Sequence, residues 1–563
     1  MSNLNRRSFL AFSAAASASV LAACGGGSGD AGGAAAPAAD VNPEDLKLPL
    51  AETATLTGLS SYPVGTESDP NKRTIFKRLE EATNVHIDWK TIQADQWGDK
   101  ISLEMSNINT LPDFVFTAGF GDTDLLKYAK QGVIISVEEL IDAYMPNLQK
   151  VFEQAPEYRT MCEDEDGHIW ALPWIEQLGY EKTAIQTVGN MSFINKDWLD
   201  FLGLSMPTTT DEFEAVLVAF KDNAAKIKEQ FNIDGDIIPM SCILNDGDQD
   251  PYILINGFGE GLGDPDRGKH IAVTDDGKVV CVAQTEGFKK GTQWLRGLYE
   301  KGLIDAEAFT QEWSTYVAKG KSGRYGVLFS WDVANIAQVT MDDLIAGVGW
   351  VPLPALQADT KNITPQTGSF TSGFDRGRCV ITAAAKNPAL VATWLDQMYD
   401  PFQSPQNNWG TYGEDDEFDI FEMSTNAEGQ PMLKHKPLGD ASPVEVREAE
   451  SVNGPLAILD SYYDVYVTCP DDAQYRLDWI KNIYTPDMNL KYCYPNVFMN
   501  TEDTTTVSNL MADIMKCINT FKSNSIMNGF TDADWDQLQA DLDAYGLQQF
   551  LEIHQKYLDA YLA

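Results

Sequence analysis

"ATLTGLSSYPVGTESDPNKRTIFKRLEEATNVHIDW" spans residues 54–89, and its pattern decides the fold class. Ala54 to Leu59 is a short buried-strand run. Arg73 to Thr83 repeats apolar residues at helical spacing, and Val85-His-Ile-Asp-Trp89 alternates as a half-buried strand does. Strand, helix and strand in close succession form a β–α–β unit. Asp113-Phe-Val-Phe-Thr117 adds another short strand. Beyond it, helices carry start signals: Ser136-x-x-Glu139 before Leu140 and Tyr144, Thr209-x-x-Glu212 before Phe213, Val216, Leu217 and Phe220, and Asn387-Pro388 before Val391, Trp394, Leu395 and Met398. Trp535, Leu538 and Leu542 share a helix face that Gly546 ends, and Leu547, Phe550, Leu551, His554 and Leu558 form the next. Alternating strands and helices, with no internal repeat or heptad run, predict an α/β protein.

Upstream of this body, residues 1–23 carry Arg6 and Arg7, no acid, and a short Ser-broken apolar run. That is the pattern of an export signal, too short to span a membrane comfortably. Leu21-Ala22-Ala23-Cys24 resembles a bacterial lipobox, whose Cys is acylated and becomes the new N-terminus. Residues 24–44 then read as the lipidated Cys and a flexible Gly/Ala/Ser tether. The alternative is an ordinary signal peptide with an incidental Cys. Arg6-Arg7-Ser8-Phe9-Leu10 also resembles a twin-arginine signal, so the export route stays open.

The chain of 563 residues is long enough for more than one core. Its formal net charge of −42 disfavours nucleic acid and anionic membranes as partners. Seven cysteines follow Cys24, none in CxxC, which leaves zinc ribbons and thioredoxin-type chemistry unsupported. The five histidines show no metal spacing, and neither a GxSxG elbow nor a phosphate-binding P-loop occurs. "NGFGEGLGDPD" (256–266) reads as turns, and "YGEDDEFD" (412–419) as a solvated loop. Acid pairs are too numerous among 83 Asp and Glu to exclude a glycosidase by counting.

Four segments in order carry a family resemblance. They are "GVIISVEELIDAYMPNLQKVFEQAPEYR…DEDGHIWALPW" (132–174), "INKDWLDFLGLSMPTTTDEFEAVLVAFK" (194–221), "LYEKGLIDAEAFTQ" (298–311) and "GFTDADWDQLQADLDAYGLQQFLEIHQKYLDAY" (529–561). Together they resemble the lipoprotein substrate-binding proteins of ABC-type sugar importers, in the long oligosaccharide-binding branch. The resemblance implies a two-lobe periplasmic-binding-protein-like α/β fold with a hinge and an interlobe ligand cleft. It places lobe 1 at 45–172 and 352–400, and lobe 2 at 173–351 and 401–563 with the C-terminal helices. Crossings fall at Ala171–Glu176 and near Trp350–Pro354. It also implies a monomeric receptor, lipid-anchored on the outer face of the bacterial cell membrane, that hands an oligosaccharide to permease subunits without catalysis. Many relatives carry an EF-hand-like loop before an Ile-Pro. Here "FNIDGDIIPM" (231–240) keeps only Asp234 and Asp236, too few oxygens for a calcium cage, so no cofactor is expected.

A sugar offers C–H faces that aromatic rings cover and an equator of hydroxyls that carboxylates, amides or Arg can take. With 13 Trp and 21 Tyr, position must select among rings. Trp331-Asp332 follows the strand "YGVLFS", at a strand end where α/β folds put ligand loops. By the same logic Tyr62 follows the first strand, and Phe120 and Asp122 follow "DFVFTAG". Trp174 and Glu176 lie at the hinge, Phe370 opens the return to lobe 1, and Trp409 and Tyr412 sit in the implied cleft-facing loop. Trp89, Trp394 and Trp535 are expected in cores. Competing readings are a peptide-binding receptor, a cell-surface glycoside hydrolase, and a surface adhesion module.

Overall fold

A computed structural model of the chain describes residues 41–562 apart from 64, 181–182, 190, 267, 366–372, 414–418, 438–446, 448, 450 and 490–492. Cys24, Phe370 and most of the 412–419 acid cluster therefore lie outside the described residues.

The opening β–α–β unit forms as the pattern predicts. The first strand, Ala54–Tyr62, pairs in parallel with Val85–Gln93 along its whole length, from Ala54↔Val85 to Tyr62↔Gln93. The helix between them, Thr74–Thr83, buries Ile75, Phe76, Leu79 and Thr83 and ends on Asn84 in the left-handed conformation. Gly58 is required here, because a Cβ would come within 2.7 Å of the Trp89 ring and 2.9 Å of Phe114. Trp89 lies among Phe76, Phe114, Phe116 and Trp394 at centroid distances of 5.3, 5.7, 5.5 and 6.4 Å, as a core ring should. Burying such side chains contributes roughly 1.5–3 kcal/mol each.

Two sheets organise the body. The first has six strands in the order Leu456–Ile458, Leu172–Glu176, Phe374–Ile381, Phe114–Val115, Ala54–Tyr62, Val85–Gln93. The second has four, Trp350–Pro352, Met191–Asn195, Tyr325–Ser330, Ile238–Met240. Each sheet has its own buried cluster, and the long C-terminal helices Thr501–Asn528, Asp532–Ala544 and Leu547–Leu562 pack on the second. This is the two-lobe α/β architecture. The chain crosses between the sheets after Glu176, after Pro352 and again after Ile458. The third crossing corrects the sequence reading, which gave all of 401–563 to the second lobe. Leu456–Ile458 pairs in parallel with Trp174–Glu176, and Trp409, Phe421 and Leu433 pack in the first cluster.

Most helix starts agree with their signals. Thr209 and Asn387 accept the N–H groups of Glu212 and Leu390. Phe213, Val216, Leu217 and Phe220 are buried, as are Val391, Trp394, Leu395 and Met398. Ser136 does not cap: the helix Glu138–Tyr144 starts after Val137 with no side-chain cap. The glycines 259, 261 and 263 all take positive φ, which fits the reading of 256–266 as turns. His554 is buried, with Nδ1 2.8 Å from the Phe550 carbonyl and its ring against Phe550 and Tyr494.

Candidate functional site

Strand ends bring the candidate residues to three neighbourhoods. In the first, Asp122 opens the helix Asp122–Lys130 just beyond the strand Phe114–Val115. Burial pushes its carboxyl up, against the pull of Arg376, whose Nε lies 2.9 Å away. Arg376 is itself buried. It donates to the Met161 carbonyl, to Asn496 Oδ1 at 2.7 Å and to the Val497 carbonyl at 2.9 Å. One guanidinium thus ties the first sheet to the segment leading into the helix Thr501–Asn528. A cavity of about 680 Å³ opens beside it, between Asp122 and Phe374 of the first lobe and Asp248, Asp266 and Lys269 of the second, with Asn496 on its wall. Phe120 is buried against Tyr128 at 5.1 Å, and that packing accounts for it.

The second neighbourhood surrounds Glu176. Its carboxylate is 5% exposed and accepts from Asn408 Nδ2 at 2.6 Å, with Arg447 Nη2 3.5 Å away. Arg447 also donates to Asn408 Oδ1 at 2.6 Å and lies 5.8 Å from the Trp409 ring centroid. Trp409 is buried against His435 and Phe421, so little of its ring is open. Trp174 is half-buried with the Arg378 guanidinium 5.8 Å from its centroid. Tyr412 carries Arg78 at 4.6 Å from its centroid, and Arg78 also donates to the Tyr412 carbonyl at 2.8 Å. Tyr62 is half-buried at the end of the first strand.

Trp331 and Asp332 form the third. The strand Tyr325–Ser330 is wholly buried, and the chain emerges at Trp331, which is half-buried. Arg476 stacks 3.9 Å from the ring centroid and donates to the carbonyls of Trp331, Val188 and Gly189. Burial lowers the Arg476 pKa to about 10. Tyr475 donates to Asp332 Oδ2 at 2.7 Å, and Asp332 Oδ1 accepts from Ala334 N at 2.9 Å. Four candidate rings, Trp174, Trp331, Trp409 and Tyr412, therefore carry a guanidinium on one side. Those arginines, with Arg376, Asn408, Tyr475 and Asn496, were not singled out from sequence. One usable signal was scarcity, since the chain has only 12 Arg.

Among the described residues, no three His, Cys, Asp or Glu side chains converge as metal ligands do. At 231–240 the fit to calcium fails on its own geometry. Asp234 and Asp236 are exposed, and the Arg324 side chain lies over Gly235, its Nε donating to the Asp236 carbonyl at 2.9 Å. The Asp236 carbonyl is thus already bonded to a guanidinium.

The chain belongs to the bacterial extracellular solute-binding protein family, whose profile matches residues 63–401. It is 42% identical over 550 residues to the fructooligosaccharide ABC transporter substrate-binding protein FusA of Streptococcus pneumoniae, covering 97% of each chain. The solved structure of that protein in complex with kestose superposes with a TM-score of 0.77 at 43% identity, covering 90% of this chain and 99% of that one. A structure of its EF-hand mutant with fructo-nystose gives the same score at 42% identity and the same coverage. A solute-binding protein of Bifidobacterium longum infantis, associated with an HMO-binding ABC transporter, has a TM-score of 0.72 at 21% identity, covering 90% and 99%, a likeness of fold. By family the chain is a binding protein and not an enzyme.

Proposed function

We propose that this protein captures a fructooligosaccharide outside the cell and delivers it to the permease of an ABC transporter. The observation that carries the reading is the 42% identity to FusA across 97% of both chains. Half-buried rings at strand ends, beside oriented carboxylates and amides, supply the chemistry a sugar needs. Trp331, Asp332, Trp174, Glu176 and Asp122 are the contacts we assign to the ligand. Tyr62, Tyr412 and an edge of Trp409 are assigned to the rim, and Phe370 is a further ligand contact on the sequence alone. The two lobes, crossing at three segments, close on the ligand, and the receptor works as a monomer.

Calorimetric titration with kestose and nystose tests the sugar. Saturable binding by either is expected, unchanged in EDTA because we assign no structural calcium to 231–240. Binding of mixed peptides with silence toward both sugars would overturn the reading. We further assign Cys24 as the lipid attachment site that holds the body at the outer face of the membrane. Mass spectrometry of the membrane-bound protein should find acyl chains on Cys24, and Cys24→Ala should remove the protein from that fraction. An unmodified Cys24 in a secreted protein would refute the anchor.

A further inference from the structure

We propose that Tyr475 and Arg476 are positioning residues that set Asp332 and Trp331 for the ligand, an inference that rests on the sugar-platform reading of Trp331. Two adjacent residues of the helix Asp471–Trp479 hold two adjacent residues of the strand-end loop, one to one. Tyr475 fixes Asp332 Oδ2 while Ala334 N fixes Oδ1. A carboxylate has about four acceptor sites, so two are spent on orientation and about two are left for ligand hydroxyls. Arg476 covers one face of the half-buried Trp331 ring, and the part of the ring left exposed is the platform. Its donors reach the Trp331 carbonyl and also the Val188 and Gly189 carbonyls of the first crossing segment. The platform and the crossing are therefore held by one cation. Asp332 and Asp248 act on Arg476 through their charge alone, and its direct partners are the ring, the three carbonyls and Met191 Sδ.

The test is kestose titration of the full chain with Tyr475→Phe, Arg476→Lys, Asp332→Ala, and the Tyr475→Phe/Asp332→Ala pair. Tyr475→Phe keeps the ring against Trp479 and removes one oxygen. It should weaken binding about threefold to tenfold and lower the ligand-free melting temperature only slightly, since the hydrogen bond to Asp332 is lost with and without sugar. It should add nothing in the Asp332→Ala background, a coupling that a helix-docking role would not produce. Arg476→Lys keeps the charge but loses the fork. It should weaken binding at least as much and diminish the kestose-induced change in tryptophan fluorescence. Where Arg476→Lys fails to fold, the Tyr475–Asp332 cycle alone decides. Wild-type affinity in Tyr475→Phe, or the same loss with and without Asp332, overturns the inference while leaving the sugar reading intact. A wild-type chain that ignores both kestose and nystose removes the sugar reading, and the inference falls with it.

Discussion

Trp331 carries a guanidinium 3.9 Å from its ring centroid, and that contact changes what its removal does. A ring that only faced ligand would leave the ligand-free melt unmoved on truncation. Here Trp331→Ala strips the cover from a buried cation, and uncompensated buried charge is costly. Both affinity and stability should fall, the latter by about 3 kcal/mol, within the range of large core truncations. Trp331→Phe keeps an aromatic face toward Arg476 and should cost about 1 kcal/mol of stability while still weakening kestose binding. Parallel urea melts and titrations check this. An Ala variant with an unchanged urea midpoint would show that Arg476 does not depend on the ring. The same residue shows what was legible. A strand of apolar residues running into Trp-Asp marks a strand end with a partly exposed ring from sequence alone. The arginine behind it lies 145 residues further along the chain, and no local pattern in "QYRLDW" announces a tertiary stacking partner. Ring candidates were readable because strand ends are readable. Their partners were not, because they arrive from elsewhere in the fold.

At the scale of elements, Asp396 joins two helices. It lies at the end of the helix Pro388–Asp396, and its Oδ1 accepts from Asn147 N and Leu148 N at 3.0 Å each, in the first turn of Pro146–Gln154. Burial pushes its carboxyl up to about 7, against those two N–H groups and distant Lys150, with Asp400 adding to the rise. A folded pKa above the unfolded one means that the native state binds the proton more tightly. Stability is therefore lost as pH rises from near 4 toward 7. Asp396→Asn keeps Oδ1 as acceptor and removes the titration. Its stability relative to wild type should grow with pH across that window, by up to about 1.4 kcal/mol per unit, and pH-resolved denaturant melts would detect it. A constant difference would mean that the helix N–H groups keep the carboxylate ionised. Local chemistry of this kind separates what could be read from what could not. Thr209 and Asn387 cap because they stand next to the N–H groups they satisfy. Ser136-x-x-Glu139 has the same letters, but Ser136 is buried and the helix starts only at Glu138, after Val137, so the box is out of register. Leu456–Ile458 is three residues long, and its membership of the first sheet is set by a partner near residue 175. A run that short has no period to read, so the third crossing was invisible.

For the molecule as a whole, charge should discriminate among sugars. The formal net charge is −42, and the interlobe cavity adds Asp122, Asp248 and Asp266 to its walls. The cations beside them are committed, Arg376 to Asp122 and Lys269 to Asp266 at 2.9 Å each. A neutral oligosaccharide would gain hydrogen bonds there without crossing a charge barrier, whereas a uronate oligomer would approach against the field of the whole protein. Salt separates the two cases, because the screening length falls from about 30 Å at about 0.01 M to about 3 Å at about 1 M. Kestose affinity should stay within about twofold across that range. Any residual affinity for an oligogalacturonate should rise with salt as repulsion is screened. Titrations at low and high sodium chloride decide the matter. Kestose affinity that collapsed at high salt would mean that ionic contacts carry the binding, and affinity for the uronate that fell with salt would mean that a free cationic subsite outweighs the acidic walls.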